Sequence, residues 1–312
     1  MLARAGPFKS HSTFKSHSEV ISGSIIYGTI GIFLDRVQDM SVGSVLFCRL
    51  AFGLCMLFLY LLLRGGLPQL RLGKNRKYLL LLGFLNTVNG LCYFSAIRYS
   101  GLSVAVLLLY TAPVYVSLLA PPILGEKSSS KNLLPLFLAV LGVALIARPG
   151  EILAGLEAGS DFLKGVGFGM LSGFTFGVTI ITIRYLRHDY SGMAQTFWLT
   201  AVSLCFVLPS AALTPLPVLL ENLNTLFLFG VTITCAALLY LRGISGIRAQ
   251  TGSILALIEP VSGIFFDSTV LKSPLYASTL LGCGFILTAA YLVSRGRAIE
   301  EVPEEPLPSP LA

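Results

Sequence analysis

Three ionisable residues stand well inside long apolar runs of the sequence: Arg49, Glu259 and Asp267. A charged side chain surrounded by hydrocarbon is costly, so residues of this kind mark functional sites by default. The planar guanidinium of Arg49 suits a carboxylate or phosphate group, whereas the carboxyl group of Glu259 suits an ammonium ion or a transferred proton. The structural alternatives are an ion pair or carbonyl contact for Arg49, and a protonated Glu259 bonded to backbone that Pro260 frees.

The depths of the two opposite charges within their runs are similar. Glu259 lies ten residues into the run 249–271 and Arg49 lies eight residues into the run 41–63, which is about 15 Å and about 12 Å of helix. These depths allow a direct salt bridge, or a single cavity that both side chains face. Asp267 is four residues from the end of its run, where its carboxylate could reach water.

Further candidate site residues are polar or helix-breaking. Asn86, Asn89 and Tyr93 follow i, i+3, i+7 spacing, which places them on one face of a helix. They would line a polar cavity wall or join neighbouring helices by hydrogen bonds. Pro113 and Pro260 each remove an intrahelical hydrogen bond and predict helix kinks at the site. No catalytic residue, metal ligand or cofactor site is expected.

Long apolar runs must position these residues. The chain of 312 residues is 54% hydrophobic and 12% charged, with a mean hydropathy of +0.81, and a water-soluble domain could not cover its surface with so few charges. Each run approaches the ~20 residues that a helix needs to cross a bilayer, where backbone polar groups must be satisfied internally. The runs are 18–36, 41–63, 77–97, 101–123, 132–148, 162–185, 193–213, 224–243, 249–271 and 274–294.

The basic residues indicate how these runs are oriented. With both termini in the cytoplasm, the cytoplasmic segments hold 16 basic residues and the outer segments hold five, and Arg49 completes the total of 22. This split follows the positive-inside rule and predicts a multi-pass protein of the plasma membrane with both termini cytoplasmic. The formal net charge of +7 therefore reflects the membrane topology. The scattered basic residues give no reason to propose nucleic acid as a partner.

The sequence contains an internal repeat. Residues 96–114 align with 243–261 at a constant offset of 147, which pairs Pro113 with Pro260. Five runs per repeat is an odd number, so the second copy enters the membrane from the opposite side, as in many secondary transporters. The sequence therefore predicts an all-α polytopic membrane protein with ten transmembrane helices arranged as two inverted five-helix repeats.

Short motifs in both halves resemble those of one transporter family. They are Phe47-Cys-Arg49-Leu-Ala51, Tyr110-Thr-Ala-Pro113, Leu124-Gly125-Glu126 and Leu257-Ile-Glu259-Pro260. In their order and spacing the sequence resembles the drug/metabolite transporter superfamily, and its EamA family in particular. The Gly-Glu pair that usually closes the fourth span of each repeat is replaced by Lys272-Ser273 in the second half. The resemblance implies export or uptake of a small metabolite.

The predicted organisation has four parts. Residues 1–17 form a cytoplasmic basic tail, 18–149 a first five-helix EamA-like repeat, 150–296 a second such repeat, and 297–312 an acidic, proline-rich cytoplasmic tail.

A glycine ridge stands out in the sixth run. Its members recur every four residues: Gly165, Gly169, Gly173 and Gly177. Such a ridge lets another helix approach closely. Close packing inside the bundle is the main interpretation, and a sliding surface during transport or a homodimer contact are the alternatives.

The predicted function is secondary transport of a small metabolite, amino-acid-like or another small organic solute, by alternating access and as an exporter. Its partners are the small-molecule substrate and the lipid bilayer, and proton coupling is left open. An enzyme is not expected, because no run contains histidine and no acidic dyad or nucleotide-binding motif is present. The alternative function is a non-transporting membrane receptor or scaffold.

Overall fold

The computed structural model describes residues 13–126, 132–147, 160–209 and 215–295. Three predicted features lie mostly or entirely outside these ranges: the start of the basic tail, the linker around 149–159 and the acidic tail 297–312. Regular secondary structure within the described ranges is helical throughout, as the long apolar runs predict.

The helices follow the predicted runs closely, with several interruptions. In chain order they are α1 (Thr13–Tyr27), α2 (Ile30–Arg36), α3 (Val42–Leu63), α4 (Arg76–Leu109), α5 (Ala112–Leu124), α6 (Leu133–Ile146), α7 (Ser160–Tyr185), α8 (Gly192–Val207), α9 (Leu216–Glu221), α10 (Leu223–Gly246), α11 (Ala249–Ala256), α12 (Ile258–Thr269) and α13 (Ala277–Arg295). Two 3₁₀ helices, Leu67–Leu70 and Leu186–His188, follow α3 and α7. The first helix starts at Thr13, so the end of the predicted basic tail is helical.

Six helical segments in the described part of the chain are long and apolar enough to cross a membrane. They are Val42–Leu63, Arg76–Leu109, Ser160–His188, Leu223–Gly246, Ala249–Thr269 and Ala277–Arg295. Shorter apolar helices accompany them at Ala112–Leu124, Leu133–Ile146 and Gly192–Val207. Large apolar side chains such as Leu59, Phe137 and Leu281 face outward and are between 55% and 64% exposed. The fold is that of a polytopic helical membrane protein, while the count of ten spans stays a prediction.

The first predicted run is not one continuous helix. Between α1 and α2, Gly28 lies so close to α12 that an added Cβ atom would fall 2.2 Å from the Ser262 hydroxyl oxygen and 2.7 Å from the Gly263 nitrogen. The side chain of Thr29 donates to the carbonyl of Ile26 at 2.7 Å and caps the break. This interruption depends on a tertiary contact, which hydropathy does not register.

The two proline-containing runs are also interrupted, at matching places. The first breaks at Tyr110, between α4 and α5, and the second breaks at Leu257, between α11 and α12. Pro113 and Pro260 therefore lie in the first turn of a new helix, where the missing N–H forfeits no intrahelical bond. Each proline begins a helix after a break and does not bend a continuous one.

Gly101 separates the third and fourth predicted runs. Its φ of 82° and ψ of 165° are non-helical inside α4, a backbone conformation that is open almost only to glycine. The helix is kinked here without a loop, just after the gap 98–100 between the two predicted runs.

The glycine ridge of α7 packs inside the bundle. A Cβ atom on Gly165 would lie 2.5 Å from the Cβ of Ser100, and one on Gly173 would lie 2.3 Å from the carbonyl oxygen of Leu108. Further along, Gly177 faces Tyr115 of α5. The ridge therefore supports α4 and α5, and it is not available as a homodimer contact.

The helices α6 and α13 cross through a reciprocal glycine contact. A Cβ on Gly142 would meet the Gly282 carbonyl oxygen at 2.7 Å and the side chain of Ile286, while a Cβ on Gly282 would meet the Gly142 carbonyl oxygen at 2.5 Å and the side chain of Ile146. Each of the two glycines thus makes the contact that the other makes. Reciprocity of this kind is the signature of a local two-fold relationship.

Several connections meet at one end of the bundle. The N–H of Gly73, between α3 and α4, donates to the hydroxyl of Tyr190 at 3.0 Å, and the amide of Asn75 donates to Asp189 at 2.7 Å. We call this end the basic end. Its described basic residues include Arg64, Arg71, Lys74, Arg76, Lys77, Arg184, Arg187, Arg242 and Arg248.

Candidate functional site

Three interrupted helices meet at Glu259. This residue is the second of α12, while Tyr27 ends α1 and Tyr110 directly follows α4. Tyr110 and Tyr27 both lie near enough to the Glu259 carboxyl group to interact with it electrostatically. The breaks at Tyr27 and Tyr110 thus bring side chains from two other helices to the one acid in the middle of α11–α12.

Four tyrosines lie within electrostatic range of this acid: Tyr27, Tyr93, Tyr110 and Tyr240. Each interacts electrostatically with Glu259, and we call the four the tyrosine group. The rings of Tyr27 and Tyr240 pack edge to face, with centroids 5.9 Å apart and planes at 81°. Tyrosine rings offer their negative faces to cations and their hydroxyls to polar groups. Tyrosine rings and a carboxylate are groups that suit an organic ammonium ion.

Arg49 lies beside the same centre. It is half-buried on α3, its guanidinium carbon is 5.6 Å from the centroid of the Phe229 ring, and it interacts electrostatically with Tyr27. No nitrogen–oxygen distance within 4.0 Å joins Arg49 to Glu259, although the structure describes both residues. Tyr27 therefore stands in the electrostatic field of both charges, and of the two predicted arrangements the direct salt bridge is absent here.

The predicted asparagines face neighbouring helices. The Asn86 amide donates to the Ser203 hydroxyl of α8 at 3.0 Å, and the Asn89 amide donates to the Ser172 carbonyl of α7 at 2.8 Å. Both side chains are half-buried. Their amide nitrogens thus join helices, while Tyr93, on the same face of α4, belongs to the tyrosine group.

Asp267 lies apart from the Glu259 centre. It is half-buried near the end of α12, interacts electrostatically with Asp35, and stands where a Cβ on Gly31 would fall 2.9 Å from its carboxylate. Beyond it, Lys272 adopts a φ of 59°, and the Ser273 N–H donates to the Asp267 carbonyl at 3.1 Å. These features form the tight turn that the short gap before the last run predicts.

A second polar network lies at the basic end. Glu126 accepts a hydrogen bond from the Arg184 Nε at 3.0 Å and another from the Ala249 N–H at 3.0 Å. Arg184 also donates from its Nη1 to the carbonyl of Ser245. The carboxylate thereby caps the first turn of α11, where a negative charge is favourable, and it joins the end of α5 to α7 and to the α10–α11 connection.

Sequence reasoning did not assign the tyrosines to the site, except for Tyr93, nor did it find the partner of Glu126. From the sequence, packing is the expected role of Tyr27, Tyr110 and Tyr240, because aromatic residues are common in apolar helices. The repeat carried one signal for Tyr110: at the offset of 147 it corresponds to Leu257, two residues before Glu259. Arg184 counted only as one of many basic residues near a helix end.

These features define a class of protein. Apolar helices long enough to span a bilayer surround a mid-span acid, and interrupted helices converge on it, which is the construction of membrane transport proteins. The family model of the EamA-like transporter family matches this sequence twice, over residues 18–148 and 163–295. The chain belongs to the EamA-like transporter family. This membership supports transport of small solutes, an activity that is not enzymatic.

Individual relatives agree with the family. The chain is 27% identical over 277 residues to an uncharacterized transporter of Archaeoglobus fulgidus, covering 86% of this chain and 94% of that protein. It is 22% identical to the uncharacterized transporter YetK of Bacillus subtilis, covering 88% and 82%. A solved crystal structure superposes with a TM-score of 0.74 at 14% identity, over 90% of this chain and 97% of that chain, which shows a shared fold.

Proposed function

We propose that this protein is a secondary transporter that exports small amino-acid-like solutes by alternating access, with Glu259 and Arg49 at its substrate site. The observation that carries the proposal is the convergence of three helix breaks near Glu259, where Tyr27 interacts electrostatically with both Arg49 and Glu259. Discontinuous helices build the substrate sites of many transporters, because the interrupted backbone leaves polar groups facing a cavity.

The proposed architecture is two inverted five-helix repeats. Two observations support it: the family model matches twice, and the breaks at Tyr110 and Leu257 are separated by the repeat offset of 147. Two halves with the same structure can exchange conformations, so a state open on one side and a state open on the other have similar free energies.

The roles of the two charges follow from their chemistry. A zwitterionic solute would place its carboxylate on Arg49, whose planar fork binds carboxylates in two-point contacts. Its ammonium group would lie against Glu259 and the tyrosine rings. The rival role for Glu259 is proton carriage, in which it takes up a proton on one side and releases it on the other.

The basic end is the proposed cytoplasmic side, since basic residues accumulate there. The network of Glu126 with Arg184 and the Ala249 N–H connects the proposed repeats at that end. For the site to open toward the cytoplasm, the end of α5 must separate from α7 and α11, so this network is the proposed cytoplasmic gate.

The test uses purified protein in proteoliposomes with a panel of amino acids and related small solutes. We expect saturable counterflow of at least one zwitterionic solute, lost in Arg49→Gln. In Glu259→Gln, loss of counterflow together with weaker binding supports a ligand role. Loss of proton-driven accumulation with retained counterflow supports proton carriage instead.

Two matched controls carry the same chemical changes outside the site. Arg36→Gln and Glu221→Gln neutralise exposed residues and should transport at wild-type rates. If Arg49→Gln and Glu259→Gln also do so while remaining folded, neither residue binds substrate. Absence of flux for every solute, in protein that is folded and inserted, would favour the receptor or scaffold.

A further inference from the structure

The hydroxyl group of Tyr240 is buried and has no hydrogen-bond partner among the described residues. The side chain is 5% exposed and lies on α10. A buried hydroxyl without a partner destabilises the folded state, and native proteins rarely keep one without a reason. Serine hydroxyls in helices can turn to a carbonyl of the preceding turn, but a tyrosine hydroxyl stands too far from its own backbone to do so.

The surroundings of this hydroxyl are those of the Glu259 centre. Tyr240 interacts electrostatically with Glu259 and with Tyr27, and its ring packs against the ring of Tyr27. Tyr110 also interacts electrostatically with this acid. The Tyr240 hydroxyl is therefore a polar group near this acid without a hydrogen-bond partner in the described part of the chain.

The ring of Tyr240 is held in place although its hydroxyl is free. At Gly23, an added Cβ would fall 3.0 Å from the Tyr240 nitrogen and 3.1 Å from its Cβ, so α1 and α10 are in close contact at this level. Tyr240 also belongs to the main buried apolar cluster. A rigid ring with a free hydroxyl is preorganised to bind, because little conformational freedom remains to be lost.

We propose that Tyr240 is a substrate-binding residue whose hydroxyl donates a hydrogen bond to an acceptor adjacent to the substrate's ammonium group. The inference rests on the proposed function and makes its substrate class narrower. The site takes amines that carry a neighbouring carboxylate or carbonyl, as α-amino acids do, in preference to simple amines. An amine without that acceptor would leave the hydroxyl unpaired in the complex, and sites built to hydrogen-bond a ligand discriminate strongly against analogues that lack the group.

This role predicts opposite effects on stability and binding. Tyr240→Phe removes an unpartnered polar atom, so the ligand-free protein should keep or gain thermal stability. The same change removes a contact to the ligand and should weaken binding of an amino acid by about tenfold. If the hydroxyl had a structural hydrogen-bond partner instead, Tyr240→Phe would lower thermal stability and leave amino-acid binding unchanged.

Tyr190→Phe is the matched control. Tyr190 is also buried, at 3% exposure, but its hydroxyl accepts a hydrogen bond from the Gly73 N–H at 3.0 Å. This substitution should lower thermal stability and leave ligand binding unchanged.

The experiment measures binding and thermal unfolding in detergent for the wild type and both variants, with L-phenylalanine and 2-phenylethylamine as probes. These two molecules differ only in the carboxylate. We expect the wild type to prefer L-phenylalanine, and Tyr240→Phe to lose that preference while binding 2-phenylethylamine as the wild type does. The proposal is overturned if Tyr240→Phe destabilises the protein as Tyr190→Phe does, if it binds L-phenylalanine normally, or if the wild type binds neither probe or both equally.

A parallel counterflow assay with L-phenylalanine separates this inference from the proposed function. If Tyr240→Phe transports L-phenylalanine at the wild-type rate and with an unchanged KM, Tyr240 is not a substrate-binding residue, but the proposed transport function is unaffected. If binding depends on Tyr240 but the protein transports no amino acid, the role of Tyr240 in binding is supported and the proposed transport function is rejected.

Discussion

The Nε of Arg184 lies 3.0 Å from a carboxylate oxygen of Glu126, and both side chains are only 12% exposed. The carboxylate uses its second oxygen to accept from the Ala249 N–H. Removing one partner of such an enclosed pair leaves the other charge uncompensated. The pair therefore couples α5, α7 and α11 more tightly than a surface ion pair could.

Glu126→Ala should lower the free energy of unfolding by about 3 kcal/mol, because Arg184 would stay enclosed and the first turn of α11 would lose its cap. Thermal or denaturant unfolding of the purified protein in detergent measures this loss. Lys164→Ala is the control, since it breaks the ion pair with Asp161. The side chain of Lys164 is 59% exposed and that of Asp161 is 67% exposed. Exposed pairs contribute little, so the control should show no measurable change, and equal losses in both variants would contradict this account.

Two glycines of α7 should respond oppositely to alanine. A Cβ on Gly173 would lie 2.3 Å from the carbonyl oxygen of Leu108, whereas a Cβ on Gly167 has nothing within 4 Å. We expect Gly173→Ala to destabilise the protein by about 2 kcal/mol through overpacking against backbone. Gly167→Ala should be neutral or stabilise by up to about 1 kcal/mol. Denaturant titrations of the two variants measure the difference, and a Gly173→Ala variant as stable as the wild type would mean that α7 and α4 do not pack this closely.

The sequence predicts the helices well because hydropathy alone determines where a chain can cross a bilayer. Lys272 is a good example, since the two-residue gap between the last two apolar runs indicated the turn there. The breaks at Tyr27 and Leu257 could not be found in this way. Tyr27 lies inside an apolar run, and its break occurs where α12 approaches Gly28. The break at Leu257 precedes Pro260, where the sequence predicted a kink and the structure has a new helix.

The candidate site was predicted in part. Charges in apolar runs indicated Arg49 and Glu259, because few other reasons explain an ionisable residue there. Their surroundings were not predictable, since Tyr27, Tyr110 and Tyr240 come from three distant segments and look like ordinary packing residues. Periodicity placed Asn86 and Asn89 on one face of α4, but only the packing of α7 and α8 gives their amides interhelical partners.

The orientation of the bundle can be tested with single cysteines. In a variant without the six native cysteines, Gly66→Cys and Ala154→Cys should differ in intact cells: an impermeant thiol reagent should label position 154 and leave position 66 protected. The reason is the excess of basic residues around the 65–76 connection. Permeabilised cells supply the control, in which both positions should react. Labelling at 66 with protection at 154 would reverse the proposed topology.

Opening at the basic end should follow from weakening the Glu126 network. Ser253 is 1% exposed on α11, one turn beyond the N–H that Glu126 binds. In the same cysteine-free background, Ser253→Cys should therefore react slowly with a thiol reagent. Adding Glu126→Gln removes the charge that holds Arg184 while keeping the side-chain shape. A shift of the equilibrium toward the open state should then raise the labelling rate by about tenfold.

Glu221→Gln in the Ser253→Cys background is the matched control, because it neutralises an exposed acid of α9 and should leave the rate unchanged. The labelling rate and the unfolding temperature are measured on the same samples, since local unfolding could also expose position 253. A faster rate at temperatures well below unfolding, reversed by a saturating amount of transported solute, identifies gating. If Glu126→Gln lowers stability but the labelling rate stays at that of the control, the Glu126–Arg184 pair holds the fold together and does not act as a gate.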